Sequence, residues 1–211
     1  MIAARQGVRA VVTLLVLVLV PCAAHAQGLN PQPPGPIVFD IRGTTLGVPQ
    51  TSDFYPELPG DTIVPARGFG LEGGAHFYPW SGGGSRSFGI GVDGSWTRGS
   101  ATPTVNSSTS TDTITGLALP DVAVKMAVLS PQVSINFGTS RGWSYLTVGG
   151  GGAWITSTAA RDSLSRTVAD INTGGGARWF ISDHVGVGFD LRVHWIGGTA
   201  LFGASAGFSL K

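Results

Sequence analysis

Lysine is nearly missing from this chain of 211 residues, which carries only Lys125 and Lys211. Charged residues of all kinds make up 12%, about half of what a soluble domain usually shows. Cysteine is limited to Cys22, inside an N-terminal stretch read below as a removable signal. Without that stretch no disulfide framework, zinc site or cysteine nucleophile is available. An excess of one charge sign is also missing. Removing Arg5 and Arg9 with the signal takes the basic residues from 13 to 11, against 12 acidic ones. A near-neutral chain without a basic patch gives no reason to expect a nucleic-acid partner. The last absence is a long apolar run. The longest, Val11 to Val20, is broken by Thr13 and falls well short of the roughly 20 residues a spanning helix needs.

What is present begins with that N-terminal stretch. Arg5 and Arg9 form a basic start, Val11 to Val20 an apolar core, Pro21 a break, and Ala24-His25-Ala26 a small-x-small sequence. This is the order of a secretory signal peptide, so residues 1–26 are expected to be cleaved, leaving Gln27 first. A lipidated Cys22 is a poorer reading, because Pro21 directly precedes it. Residues 27–36, with Pro31-Gln32-Pro33-Pro34-Gly35-Pro36, are expected to be an extended leader. Residues 37–211 are one domain's worth of chain.

In that domain apolar residues are plentiful and the chain holds 33 glycines, yet no segment shows a 3.6-residue apolar period. A membrane protein without helices must close its backbone hydrogen bonds in a barrel. Alternation supports this at eight places, near 37–47, 68–79, 86–98, 122–137, 142–156, 168–181, 184–196 and 200–210. The seventh is the clearest. Val185, Val187, Phe189, Leu191, Val193 and Trp195 share one face, and Gly186, Gly188, Asp190, Arg192 and His194 the other, a period-2 strand between two environments. The first strand is weak, and Gly149 to Gly152 blur the faces of the fifth. The expected fold class is all-β: an eight-stranded, antiparallel, up-and-down transmembrane β-barrel.

The expected connections alternate long (48–67, 99–121, 157–167) and short, the asymmetry of barrels with long extracellular loops and short periplasmic turns. Aromatics sort by height in the same frame. Phe77, Trp80, Phe88, Phe137, Trp143, Tyr145, Trp179, Phe180 and Phe208 fall toward the periplasmic rim. Trp96, Trp154, Trp195 and Phe202 fall toward the outer rim, giving two girdles. On these strands, on the loop pattern and on the terminal strand Leu201 to Lys211, the chain resembles the small bacterial outer-membrane β-barrel family, the group of OmpA-type, OmpX-type and opacity-type barrels. Members usually end on an aromatic residue read by the assembly machinery, whereas this chain ends Phe208-Ser209-Leu210-Lys211. The resemblance implies location in the outer membrane, lipid as the surrounding partner, and the barrel-assembly machinery as a partner during biogenesis.

The charged residues on the faces opposite the apolar ones are Glu72, His76, Asp93, Asp170, Arg178, Asp190, Arg192 and His194. An eight-stranded barrel has room inside for side chains only, and charges buried there must pair. They are expected to form a structural network filling the lumen of a monomer. The three long loops are then the surfaces open to partners. No cofactor or metal is expected, because His76, His184 and His194 lack metal-ligand spacing and the glycine runs open no helix. Catalysis is not expected either. Asp190 and His194 share a face and Ser205 is a neighbour across the last strand pair, a set that a lipid-modifying barrel enzyme would need brought into contact. A secreted lipocalin-like barrel carrying a small apolar ligand is the alternative. Alternation alone does not say which face points inward.

Overall fold

The computed structural model describes residues 36–58, 62–82, 86–102 and 121–211. Residues 1–26, expected to be a signal, nearly all of 27–36, expected to be a leader, and residues 103–120 of the third connection lie outside the described residues.

Eight strands run in chain order: β1 (Ile37–Gly47), β2 (Arg67–Gly82), β3 (Arg86–Ala101), β4 (Val122–Thr139), β5 (Gly142–Ala159), β6 (Asp162–Phe180), β7 (Val185–Ile196) and β8 (Thr199–Leu210). They close into one antiparallel barrel, each strand pairing with its sequence neighbour and β1 with β8. Closure leaves no unpaired sheet edge where the wall is complete. The register around the wall is continuous, apart from a bulge in β2 between Phe77 and Trp80. Connections 83–85, 140–141 and 181–184 lie at one end, the turn end. Connections 48–66, 102–121, 160–161 and 197–198 lie at the other, the loop end.

The faces are inverted relative to a soluble barrel. Ile41, Phe69, Leu71, Val133, Val148, Ile171 and Phe208 stand on the outer surface, each more than half exposed. Asp40, Arg42, Asp93, Asn136, Asp170, Asn172, Arg178 and Asp190 are buried in the bore. This overturns the lipocalin-like alternative, which needs the opposite arrangement. An exterior this apolar exceeds what water-exposed proteins carry, and it fits the band that an outer-membrane barrel presents to lipid.

Three expectations need correction. Residues 157–167 are not a loop. β5 and β6 continue through them and meet in a two-residue turn, Ala160-Arg161, in which Ala160 adopts φ 53°. Residues 162–169 of β6 run past the first β6–β7 pair, Asp170 with Ile196, and pair with β5 alone among the strands. The long connections are therefore only two. Second, the aromatic girdle at the turn end is thinner than expected. Phe77, Phe88, Trp179 and Phe208 point outward as predicted, but Trp143, Tyr145 and Phe180 turn inward and are buried. The side chain of Trp80 lies outside the described residues. At the loop end Trp96, Trp154, Trp195 and Phe202 all face out. Third, connection 48–66 does not stand free of the barrel. Its 3-10 turn Ser52–Phe54 folds over the mouth.

Candidate functional site

The bore is stacked in three layers. At the turn end Val38, Tyr78, Trp143, Tyr145 and Phe180 form an aromatic floor. Trp143 stacks on Phe180 at 5.1 Å and meets Tyr78 edge-on at 5.9 Å, geometries that favour aromatic pairs. β5 contributes Trp143 and Tyr145 here although its outward face is apolar as well, through Leu146 and Val148. Tyr145 needs space that β6 supplies. A Cβ on Gly176 would lie 2.7 Å from the Tyr145 hydroxyl, so this glycine is required for close approach.

The middle layer is polar, and Asp40 is its hub. Arg178 donates to both of its oxygens, with Nε at 3.1 Å from Oδ1. The Arg42 guanidinium lies 3.0 Å from Oδ2, His76 Nε2 3.0 Å from the same oxygen, and Ser209 Oγ donates to Oδ1 at 2.6 Å. Arg42 continues to Glu72 at 3.2 Å, and Ser205 Oγ donates to that same carboxylate oxygen at 3.2 Å. His76 bridges from Asp40 to Asp93 at 3.3 Å. Asp93 takes Arg192 at 3.0 Å and a hydrogen bond from Gln132. Arg192 also forks onto Asp190 at 3.1 and 3.2 Å, the bidentate geometry guanidinium favours. Nearer the loop end, His194 Nδ1 contacts Asp170 at 3.0 Å, and Asn172 Nδ2 donates to Asp170 at 2.6 Å and to Ser130 Oγ at 2.7 Å. The room for His76 comes from two glycines. A Cβ on Gly91 would meet its ring at 2.5 Å, and one on Gly74 would collide with Asp93.

All eight residues singled out in the sequence thus face the bore, and hydrogen bonds or ion pairs join them into clusters. Missing from that set were Asp40 and Arg42 of β1, the pair through which most of the network connects. Five carboxylates (Asp40, Glu72, Asp93, Asp170, Asp190) meet three guanidiniums (Arg42, Arg178, Arg192) and two imidazoles (His76, His194). Each of the three buried guanidiniums faces at least one carboxylate, the pairing that a charge removed from water needs.

The loop-end layer is apolar. Leu46, Val122, Val124, Met126, Val128, Ala153, Ile155, Ile196 and Leu201 line it, and Val48, Phe54 and Tyr55 of connection 48–66 close it from above. The lid is fixed by its backbone. Ser157 Oγ donates to the Phe54 carbonyl, Arg166 Nε to the Asp53 carbonyl at 3.3 Å, and Tyr55 OH to the Pro49 carbonyl at 2.7 Å. Gln50 ties the two ends of the connection together through the carbonyls of Val48 and Pro65. Burial pushes the Tyr55 phenol up to about 12, since the phenolate would lose its hydration.

The bore does not bring Asp190, His194 and Ser205 together as a catalytic set. The Ser205 hydroxyl is committed to Glu72 and sits opposite Asp190, four residues along β7 from His194. Serine and histidine are therefore not in contact, as nucleophilic catalysis requires. Between the polar and apolar layers a cavity of about 20 Å³ opens beside Glu72, Asp190, His194 and Ser205, space for about one water. No group of residues with metal-ligating geometry occurs among the described residues.

No family model and no curated protein matches the chain. Solved structures do. Neisserial surface protein A is 12% identical with a TM-score of 0.52, the match covering 83% of this chain and 95% of that one. The attachment invasion locus protein Ail of Yersinia pestis, in complex with the heparin analogue sucrose octasulfate, is 12% identical with a TM-score of 0.50, covering 82% and 95%. The shared feature is the fold: this chain has the architecture of a small eight-stranded outer-membrane barrel.

Proposed function

We propose that the protein is a monomeric outer-membrane barrel whose bore is closed to solutes, and that its role is structural or surface-exposed. The loop end is assigned to the cell exterior and the turn end to the periplasm, with residues 1–26 removed on export. The observation that carries this reading is the layering of the lumen. Aromatic floor, paired charges and apolar cap are stacked in series, so a solute would have to break all three. What remains for function is the exterior of the loop end. The surfaces assigned to partners are connection 102–121 and the β5–β6 hairpin, which presents Ser163, Ser165 and Thr167 on a strand with one free side. The lid, being tucked into the mouth, is assigned a sealing role.

The test is planar-bilayer recording on the purified monomer. The expected result is no stable conductance. Large ohmic single-channel steps would turn the charged layer into a conduction path and overturn the reading. Mass measurement of the exported protein checks the processing, with Gln27 expected first and a lipid-modified Cys22 the contrary result.

A further inference from the structure

The lumen consumes Arg42, Arg178 and Arg192, so the remaining cations of so lysine-poor a chain have been placed elsewhere. Three of them share one patch of the outer wall. Arg98 on β3 pairs in register with Lys125 on β4, and both are exposed. On the other side Arg98 pairs with Phe69, and Arg67 stands two residues outward from Phe69 on the same face of β2. Like charges directly across a strand pair repel, so Arg98 against Lys125 costs stability unless something negative lies between them. Among the described residues no carboxylate is within ion-pair distance of any of the three. Asp121, the acid of the same face on the approach to β4, lies four residues from Lys125.

Height decides what that counter-charge is. One step toward the membrane on the same faces stands the row Leu71, Trp96, Ala127 and Trp154, paired in register across β2 to β5. Leu71, Trp96 and Trp154 are about half exposed or more. Amphipathic tryptophans on a lipid-facing wall mark the headgroup level, so the three cations sit at that level or just above it.

Next to them the wall is hollowed. Gly43, with no side chain, and Thr45, Ala204 and Ala206, with small ones, leave a shallow open groove beside Phe69. Arg67 lies across its upper end. Nε donates to Thr45 Oγ1 at 3.0 Å, Nη2 to the Phe202 carbonyl at 3.2 Å, and the guanidinium sits 5.9 Å above the Phe202 ring. These contacts fix its position without neutralising its charge.

We propose that this face is a binding site for a phosphorylated glycolipid of the outer leaflet. A headgroup phosphate lies between Arg98 and Lys125, Arg67 stands on the far side of Phe69 across the groove, and one acyl chain lies in that groove over Gly43 and Ala204. The proposal rests on the outer wall being the lipid-facing surface assigned above.

The test uses the full mature chain folded in a zwitterionic detergent. Bisphosphorylated lipid A and its dephosphorylated form are titrated in separately, and bound lipid is counted by native mass spectrometry. The expected result is one retained bisphosphorylated lipid per barrel. Replacing two cations at a headgroup surface weakens binding by about tenfold or more, so Arg98→Gln/Lys125→Gln should lose that lipid. Gly43→Leu, whose side chain has open space to enter, should also weaken it by filling the groove. Arg86→Gln/Arg141→Gln, at the turn end, should leave binding unchanged. Equal retention by native protein and the Arg98/Lys125 variant overturns the proposal, as does equal retention of the dephosphorylated lipid. Full displacement by inorganic pyrophosphate with no effect of Gly43→Leu also overturns it, in favour of a free-phosphate site. Heat-modified gel migration shows that each variant is folded. A native chain that fails to insert into phosphocholine vesicles would instead sink the membrane reading, before any lipid A is added.

Discussion

Asp40 accepts from or pairs with Arg178, Arg42, His76 and Ser209, so no other side chain in the bore has as much to lose. Asp40→Asn leaves Arg178 with a buried, uncompensated charge. Breaking such a pair costs about 3–5 kcal/mol. Ser209→Ala removes one hydrogen bond to a carboxylate and should cost about 1.5–3 kcal/mol. Urea unfolding from lipid vesicles would rank the two, and an Asp40→Asn loss no larger than that of Ser209→Ala would remove Asp40 from the centre of the network. Asp40 and Arg42 were hard to read from sequence because β1 gives weak contrast. After Ile41 its faces run Gly43, Thr44 and Thr45, and the alternation fades where the short strand most needs length to show it. Tyr55 makes a pH prediction. Its phenol is held near 12 in the fold against about 10 in an unfolded chain. The raised value means the neutral form is favoured when folded, so its contribution is complete below pH 10 and is lost as pH rises through about 12. Absorbance titration should show this tyrosine ionising late, and earlier in a Phe54→Ala variant that loosens the lid.

Among the elements, the lid and β6 depart furthest from what the pattern suggested, for opposite reasons. The lid hides apolar residues in a segment whose composition reads as a loop. Val48, Phe54 and Tyr55 have no strand or helix period, and Val122, Met126 and Ile155, which share their apolar layer, lie on two strands far later in the chain. The outer half of β6 reads as a loop because Asp162, Ser163, Ser165, Arg166 and Thr167 give it little apolar content. Above the headgroup level its outward face needs no lipid-compatible side chain, so a strand there carries no apolar alternation. Strands inside the membrane were legible for the converse reason: lipid on one side and a charged bore on the other force the alternation seen in β7. Phe54→Ala should cost about 3–5 kcal/mol if the apolar layer relaxes little, and much of that loss should appear as local opening of the lid. Digestion with a glutamate-specific protease would detect it as faster cleavage after Glu57, with the barrel strands still protected. Unchanged cleavage would mean that Val48 and Tyr55 hold the lid without Phe54.

For the molecule as a whole, the inverted faces and the two kinds of end are the grounds for the orientation proposed above. A barrel with this exterior cannot be transferred intact across a bilayer at low cost, because the charged bore must stay enclosed while the apolar wall stays in lipid. In the proposed orientation the end with the larger polar connections is the one that crosses during insertion. Connection 102–121 and the β5–β6 hairpin, with Arg161, Asp162 and Arg166 at or near its tip, make the loop end the costlier one to move back. The turn end carries only short links, together with Lys211, whose ammonium donates to the Ser140 carbonyl at 2.6 Å. Cysteine chemistry reads the orientation directly, since Cys22 is the chain's only cysteine and is expected to leave with the signal. Ser163→Cys sits on the exposed outward face of the hairpin, and Ser182→Cys in the turn between β6 and β7, where Ser182 is also exposed. With Cys22→Ser in both, a membrane-impermeant maleimide applied to intact cells should label position 163 and spare position 182 until the outer membrane is permeabilised. Labelling of 182 alone on intact cells would reverse the assignment of the two ends. It would also move the Arg67, Arg98 and Lys125 patch to the periplasmic leaflet, where a phosphorylated glycolipid of the outer leaflet could not reach it.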